Sequence, residues 1–347
     1  MEFLAEYGMF LLKAATIVIA IIVAIGGIVS VAAKQKQGRG ILDITSISEQ
    51  LEDLEMHAKE LVMSKDEFKE WQKQLKKEDK EKQKAAKKDK SEKDKEPTGK
   101  LYVIDFKGSI DAKEVENLRE EVTAILTIAN DEDEVLVRLE SPGGAVHGYG
   151  LASSQLARIR ERGLKLTISV DKVAASGGYM MACIGDKVLS APFAYIGSIG
   201  VVAQLPNFNK LLKKNDIDFE MHTAGDFKRT LTIFGENDDA GRSKFKEELE
   251  EIHGYFKQHI KQYRDVVDID QVATGEHWIG HKAKELNLVD EIKTSDDFLL
   301  EQYKEKPVYR VKFKQPKKLA DKVAEAASMT FEGVATKMWS WNRKGMQ

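Results

Sequence analysis

The sequence contains a single cysteine, Cys183, among its 347 residues. One thiol can neither close an internal disulfide nor supply a zinc site built from several cysteines, and it gives no information about the redox compartment. The seven histidines do not occur in an H-E-x-x-H pattern or a similar metal-ligand spacing. The sequence therefore predicts no metal site.

The chain also lacks a large net charge of either sign. A formal net charge of -3 argues against a chain that binds nucleic acid as a whole. The mean hydropathy of -0.40 excludes a protein with many membrane spans. Hydrophobic residues nevertheless make up 42% of the chain, which is enough for a sizeable core. The length is consistent with two globular units, or with one large unit that carries extensions.

One long apolar run is present, from Ala14 to Ala33, and none of its residues is charged. A helix of this length spans about 30 Å, the thickness of the hydrocarbon core of a bilayer. A cleaved signal peptide would have a shorter apolar region of about 7–15 residues. We therefore expect residues 1–40 to form a membrane anchor that contacts lipid through this run. The positive charges that follow it, Lys34, Lys36 and Arg39, favour a cytoplasmic location for the rest of the chain.

The segments that flank the central part of the chain read as helical or solvated. Residues 41–75 carry apolar residues at helical spacing, and Ser46-x-x-Glu49 and Ser64-x-x-Glu67 resemble capping boxes. Residues 76–100 are almost entirely charged or polar, as in a solvated linker or an exposed charged helix. The extension from 301 to 347 contains an amphipathic pattern from Leu319 to Trp341, which suits either a membrane surface or packing on the domain.

Residues 101–300 alternate between strand and helix patterns. We predict strands at 101–106, 135–139 and 164–170, and helices at 115–128, 149–162 and 239–266. Such alternation is typical of α/β domains in which crossover units surround one core.

The first chemical motif is Ser141-Pro142-Gly143-Gly144, directly after the strand at 135–139. Two glycines at a strand end let the backbone turn and approach a ligand. Their N–H groups could then form an oxyanion hole, which needs fixed donors aimed at developing negative charge. A plain tight turn explains the same residues, so this motif alone is a modest signal.

The second motif is Ala174-Ala175-Ser176-Gly177-Gly178, between a strand and an apolar helix. A serine at a helix N-terminus lies near the positive end of the helix dipole, where neighbouring N–H groups can also hold an oxyanion. A serine that merely caps the helix is the alternative. The two motifs together, each at a strand end of one α/β unit, favour Ser176 as a nucleophile.

A nucleophilic serine needs a base, and no G-x-S-x-G elbow or convincing histidine partner is present. A lysine can serve when it is taken out of water, because desolvation disfavours the ammonium form. Lys228 is the first candidate, although the residues alone do not separate it from Lys172, Lys210 or Lys214. His147, just after the Gly-Gly turn, is a weaker candidate.

Taken together, these motifs resemble the signal peptide peptidase A family (S49) of serine–lysine peptidases, and most closely its SohB-type inner-membrane members. The resemblance covers roughly residues 101–292. It is carried by Val103–Gly108 with Ile110, Arg138–Gly144, Val173–Ala182, Tyr195–Gly200, Gly225–Lys228, and the stretch from Ala273 to Asp290.

The resemblance implies a ClpP/crotonase-like fold of repeated ββα units. It implies that Ser176 is the nucleophile and Lys228 the general base. It further implies that Gly143 and Gly177 form the oxyanion hole and that Ser198 orients the lysine. No cofactor is expected. A homo-oligomer is implied, with signal-peptide remnants or unfolded polypeptides as substrates.

The resemblance also implies a single-pass protein of the bacterial inner membrane. It favours a periplasmic catalytic domain, against the local count of positive charges. The match is looser from Arg229 to Gly241, just beyond the proposed base. Two other functions remain open from the sequence: a crotonase-like enzyme acting on an acyl thioester, and a catalytically silent membrane scaffold. Coenzyme A binding would favour the first, and absence of covalent labelling at Ser176 the second.

Overall fold

The computed structural model describes residues 40–88 and 99–315, together with residues 8–10, 12, 13, 16 and 17. The chain divides into two compact units, and one of them is Asp43–Lys312. The other consists of Met1–Leu42 and Phe313–Gln347, of which few residues are described. Except for residues 16 and 17, the predicted apolar run Ala14–Ala33 lies outside the described residues, as does the predicted C-terminal helix. Among the residues that are described, no helix is both long and apolar enough to cross a membrane.

The described part of the chain is an α/β structure with two sheets. Its strands are β1 (Ile41–Ser46), β2 (Leu101–Lys107), β3 (Glu134–Glu140), β4 (Lys165–Val170), β5 (Val173–Ala175), β6 (Lys187–Ser190), β7 (Tyr195–Gly197), β8 (His277–Ile279), β9 (Glu291–Ile292) and β10 (Val308–Lys314). Its helices are α1 (Ile47–Val62), α2 (Lys65–Lys88), α3 (Val115–Ile128), α4 (Val146–Glu161), α5 (Gly177–Ala182), α6 (Asn209–Lys214), α7 (Asp239–Tyr263), α8 (Ile269–Val272), α9 (Gly280–Glu285) and α10 (Ser295–Gln302).

The large sheet has the strand order β1-β10-β2-β3-β4-β6-β9, and its strands from β10 to β9 pair in parallel. The small sheet has the order β5-β7-β8, with β5 parallel and β8 antiparallel to β7. Strand pairs β4–β5 and β6–β7 each place one strand in the large sheet and the next in the small one. The expected mixed α/β architecture is therefore present, with a mainly parallel sheet that is consistent with the ClpP-like fold of the family.

The strands of the large sheet are apolar on both faces because both faces are covered, as in parallel sheets generally. On β2, Tyr102, Ile104 and Phe106 belong to the larger core cluster, and Leu101 and Val103 to a smaller one. Helix α3 packs Val115, Leu118, Val122 and Ile125 into the larger cluster, following the spacing of an amphipathic helix. Helices α1 and α10 contribute Ile47, Phe298 and Leu299 to the smaller cluster on the opposite face.

The segment before the peptidase-like part differs in one respect from the sequence prediction. Residues 41–46 form strand β1 at the edge of the large sheet, within the segment 41–75 that was predicted to be helical. Pairing with β10 is a tertiary interaction that local periodicity does not reveal. Both predicted capping boxes are involved in capping. Ser46 accepts a hydrogen bond from the Glu49 N–H, and Ser64 and Glu67 cap each other. Within the charged segment, α2 continues to Lys88, so that part is helical.

A largely buried arginine ties α7 to the strand region near β6. Arg264 is 5% exposed, donates to both carboxylate oxygens of Asp290 at 3.0 and 2.8 Å, and donates to the carbonyl of Asn287. Asp290 also accepts the Val188 N–H at 2.6 Å. Burial opposes ionisation of Asp290, but the bonds from Arg264 and Val188 outweigh burial and hold its pKa below the usual range.

We predict that Asp290→Asn lowers the free energy of unfolding by about 2 kcal/mol at neutral pH. The change leaves a buried guanidinium without its counter-charge, which costs about 3–5 kcal/mol in fully buried pairs and less here because Asp290 is partly exposed. Urea unfolding monitored by circular dichroism measures the loss.

A lowered folded-state pKa stabilises the protein above the unfolded pKa of the carboxyl, and the stabilisation disappears as pH falls through the folded value. The difference between variant and parent should therefore shrink below about pH 4. Glu116→Gln, which removes an exposed ion pair with Arg119, serves as the control and should leave the unfolding midpoint unchanged. An Asp290→Asn midpoint equal to that of the control would contradict the account.

Candidate active site

Ser176 lies at the junction between β5 and α5 in a conformation that L-residues rarely adopt. Its φ is 51° and its ψ is -120°, and it occupies the N-cap position of α5. A non-glycine residue with positive φ costs on the order of 1–3 kcal/mol and persists only when its surroundings enforce it. Its side chain is partly exposed and caps no helix N–H. The simple capping explanation for this serine is therefore wrong.

Two neighbouring turns enforce that conformation. The Ser176 N–H donates to the carbonyl of Gly197 at 2.8 Å, and the Ala175 N–H donates to the carbonyl of Ser141 at 3.0 Å. Ser141 also forms a parallel bridge with Ala174. The Gly-Gly turn after β3 and the turn after β7 thus hold the serine from both sides.

Gly143 lies directly against the serine. Its φ is +88°, and a Cβ built on it would lie 2.7 Å from the Ser176 Cβ and 2.8 Å from the Gly177 nitrogen. Only glycine fits this contact without displacing backbone. The structure therefore brings together Gly143, Ser176 and Gly177, the three residues that the two motifs suggested.

The backbone N–H groups of Gly177 and Gly143 differ in their hydrogen-bond acceptors. Gly177 is in the first turn of α5, where amides have no partner within the helix and point outward. The Gly143 N–H instead donates to the Ser141 Oγ at 3.1 Å. A negatively charged oxygen would have to compete with that neutral hydroxyl for the Gly143 proton, and charged acceptors form the stronger hydrogen bonds.

Ser198 lies beside the nucleophile at the level of the backbone. It follows Gly197, whose carbonyl accepts the Ser176 N–H, and it also has a positive φ of 53°. Its own N–H donates to the carbonyl of Glu276 at 2.6 Å, which ties the turn after β7 to β8. The predicted lysine-orienting residue is thus part of the same cluster.

Lys228 is not enclosed with these residues. It lies in an irregular segment between α6 and α7 and its side chain is exposed. Within the described ranges, its ammonium group forms no hydrogen bond or ion pair, and neither does the Ser176 hydroxyl. The neighbouring Phe227 is 63% exposed. A lysine base must be shielded from water, so the described chain alone does not provide that environment.

The other predicted bases are less suited to the role. Lys172 forms an ion pair with Glu140 at 3.1 Å, and Lys107 contacts the same carboxylate at 3.0 Å. The hydrogen bonds from Lys107 and Lys172 lower the pKa of Glu140, and both ammonium groups are engaged by this one carboxylate. Lys210 and Lys214 are on or near the exposed face of α6, and His147 is exposed at the start of α4.

Cys183 is not a candidate nucleophile. It is fully buried in the larger core cluster, and burial raises the pKa of its thiol to about 12. The thiolate that would be reactive is therefore absent near neutral pH.

A groove of about 470 Å³ lies between α4 and α7, and Val146, which follows Gly144 by two residues, is part of its lining. Apolar and aromatic side chains dominate its lining, among them Val146, Met180, Phe256 and Tyr263. Met180 lies one helical turn after the nucleophile, and its N–H donates to the Ser176 carbonyl. One lining residue of the groove is thus hydrogen-bonded through its backbone to Ser176.

Two buried residues that the sequence did not single out for chemistry support the Gly-Gly turn from below. Ser141 and Tyr149 are fully buried below the Gly-Gly turn, and their hydroxyl oxygens lie 2.5 Å apart. Ser141 belongs to the first motif, where the glycines attracted attention. Tyr149 looks like an ordinary apolar position of α4, and no sequence signal distinguishes it.

Comparison with known proteins also relates this chain to peptidases, in agreement with the partly exposed serine and the adjacent glycines. Residues 2–156 match the family described as Peptidase family S49 N-terminal, and residues 158–309 match Peptidase family S49. The chain is 51% identical over 329 residues to the "Probable protease SohB" of Haemophilus influenzae, covering 94% of this chain and 93% of that protein. It is 48% identical over 303 residues to the "Probable protease SohB" of Buchnera aphidicola subsp. Schlechtendalia chinensis, covering 86% and 99%. "Protease 4" of Haemophilus influenzae is 26% identical over 203 residues, covering 56% and 32%.

Proposed function

Because the chain belongs to peptidase family S49 and is a SohB-type member with peptidase function, we propose that it is a serine endopeptidase whose nucleophile is Ser176 and whose general base is Lys228. The observation that carries the proposal is the strained, partly exposed Ser176 at the start of α5, with Gly143 and Gly177 packed against it.

The proposed reaction proceeds through an acyl-enzyme. Neutral Lys228 takes the proton of the Ser176 hydroxyl as the serine oxygen attacks the carbonyl carbon of a peptide bond. The Gly177 N–H donates to the oxyanion, and the Gly143 N–H, while still held by the Ser141 Oγ, shares its proton with the oxyanion. Lys228 then returns the proton to the leaving amine, and water hydrolyses the ester. Ser198 helps to orient the lysine amine.

For this chemistry Lys228 must be shielded, and exposed apolar residues in the same stretch of the chain suggest how. Ile217, Phe219, Met221 and Phe227 all expose much of their side chains in the same irregular segment. A second copy of the chain that covered this segment would bury these residues and remove water from the lysine. We therefore include a homo-oligomer in the proposal.

The groove between α4 and α7 supports a particular substrate class. Its apolar and aromatic lining suits extended chains rich in apolar side chains rather than charged ones. Signal-peptide remnants and unfolded polypeptides both present such chains, and a folded protein does not. We propose these two kinds of polypeptide as substrates.

The dyad is tested by proteolysis of a fluorescently labelled unfolded protein with the detergent-purified full chain. We predict that Ser176→Ala and Lys228→Ala each lower the rate by about 10³-fold or more, because a dyad acts as a unit. Lys228→Arg should be equally inactive, since arginine keeps the positive charge but cannot lose its proton.

Lys210→Ala is the matched control, since it removes an exposed lysine from nearby α6 and should retain full activity. Circular dichroism and size-exclusion chromatography verify that each variant folds and assembles. An active Lys228→Arg or Lys228→Ala variant would place the base elsewhere. Full activity of Ser176→Ala would refute the serine mechanism.

The proposal also includes a location in the bacterial inner membrane, with Ala14–Ala33 as the single anchor. We favour a periplasmic catalytic domain, since long domains are translocated largely regardless of their charge. The full chain should then remain in the membrane pellet after alkaline carbonate extraction. Protease added to spheroplasts should degrade the catalytic domain. Release by carbonate would contradict the anchor, and protection in intact spheroplasts would contradict the periplasmic location.

A further inference from the structure

A chain of hydrogen bonds runs from the Gly-Gly turn into the protein. The Gly143 N–H donates to the Ser141 Oγ at 3.1 Å, and the Ser141 and Tyr149 hydroxyl oxygens lie 2.5 Å apart. The Tyr149 hydroxyl donates to the carbonyl of Ser109 at 2.8 Å. Ser141 and Tyr149 are both fully buried.

Elementary chemistry assigns the direction of every bond in this chain. A backbone carbonyl can only accept, so the single proton of Tyr149 is committed to Ser109. The Ser141 proton must then point to the Tyr149 oxygen, and the lone pairs of Ser141 face the Gly143 N–H. Reversing either hydroxyl would leave an acceptor facing an acceptor in a buried site, which is costly.

Both ends of the chain are anchored. At the inner end, Glu114 accepts hydrogen bonds from the N–H and the hydroxyl of Ser109, at 3.0 and 2.9 Å. At the outer end, a Cβ on Gly177 would lie 2.4 Å from the Tyr149 ring, so the tyrosine also packs directly under the start of α5. Tyr149 therefore contacts Ser141, which holds Gly143, and also packs against Gly177. These two glycines carry the proposed oxyanion donors.

We propose that Ser141 and Tyr149 are positioning residues for acyl transfer, acting through the backbone of Gly143 without touching the substrate. Gly143 and Gly144 have no Cβ and would otherwise sample many conformations. Oxyanion stabilisation depends on donors that are already fixed before charge develops. The buried hydroxyl chain supplies that fixation by holding the Gly143 turn against Ser176 and Gly177. This inference rests on the serine mechanism proposed above.

The test compares Tyr149→Phe and Ser141→Ala with Tyr179→Phe. Tyr179 is also fully buried, and its hydroxyl also donates to a backbone carbonyl, that of Leu288, at 2.9 Å. Tyr179→Phe loses one buried hydrogen bond, whereas Tyr149→Phe and Ser141→Ala each lose two. Only the latter two variants alter the chain that reaches Gly143, so kcat is compared at matched stability. Peptide hydrolysis by the full chain should show kcat lowered about 10- to 100-fold in Tyr149→Phe and Ser141→Ala, within the loss of one oxyanion donor. KM should stay within about twofold, because ground-state contacts do not change.

Two further measurements separate positioning from a loss of stability. The double variant Ser141→Ala/Tyr149→Phe should be no slower than the more severe single variant, since both act through one chain. The affinity for a peptide aldehyde, whose adduct with Ser176 places an oxygen in the oxyanion site, should fall in parallel with kcat. Peptide substrate binding in the Ser176→Ala background should be unaffected by Tyr149→Phe.

The inference is overturned if Tyr179→Phe loses as much kcat as Tyr149→Phe at equal stability. It is equally overturned if kcat in the two chain variants is unchanged or higher, or if only KM changes. Such a result, combined with an inactive Ser176→Ala variant, would leave the serine mechanism intact and remove only the positioning role. A fully active Ser176→Ala variant would instead remove the mechanism on which the inference rests.

Discussion

Ser176 is held in a conformation with positive φ because backbone hydrogen bonds fix its own N–H and that of the preceding Ala175. The bond from its N–H to Gly197 connects it to the small sheet, and the bond from Ala175 to Ser141 connects it to the end of β3 in the large sheet. The two sheets must therefore meet at this point for the serine to be presented. The parallel strand order, the short β5 and β7 strands and the buried Ser141–Tyr149 pair all contribute to that junction.

The sequence predicted the parts of the fold that depend on local pattern. Helix α3 was predicted with the observed bounds, since Val115, Leu118, Val122 and Ile125 recur at helical spacing. Strand β3 extends one residue beyond the prediction at each end. Strand β1 was missed because its pairing with β10 lies more than 250 residues away along the chain, where no local rule applies. The large sheet also includes β10, which begins beyond the expected end of the domain at residue 300.

In the candidate site, too, the residues in short local motifs were predictable and those that depend on tertiary packing were not. Gly143, Ser176 and Gly177 were found because turn chemistry and a helix start are visible in short motifs, and the structure packs these residues together. Tyr149 was not found, because the sequence pattern of a buried tyrosine in a helix is the same whether or not its hydroxyl takes part in the site. Lys228 came from family resemblance, and its exposure shows why spacing alone could not identify it. The shielding that a neutral lysine requires is a property of packing, and in the proposed mechanism a second copy of the chain supplies it.

The ion pairs in the structure distinguish Lys172 from Lys228 as candidate bases, which the sequence alone could not do. Lys172 lies near the turn that carries the proposed donors, yet Glu140 keeps it in an ion pair. Lys228 has no such carboxylate partner in the described part of the chain. An ion-paired lysine can act as a base only by giving up its carboxylate partner, and Lys228 has no such partner to lose in the described ranges.

The central claim, that Ser176 is the nucleophile, is tested most directly by covalent labelling. The purified full chain would be treated with a fluorophosphonate, and the modified residue would be identified by peptide mass spectrometry. The account predicts one phosphonylated residue, Ser176, and no label in Lys228→Ala, where the serine is no longer activated. Labelling of a different serine, or undiminished proteolysis by a chain whose Ser176 is fully phosphonylated, would contradict it.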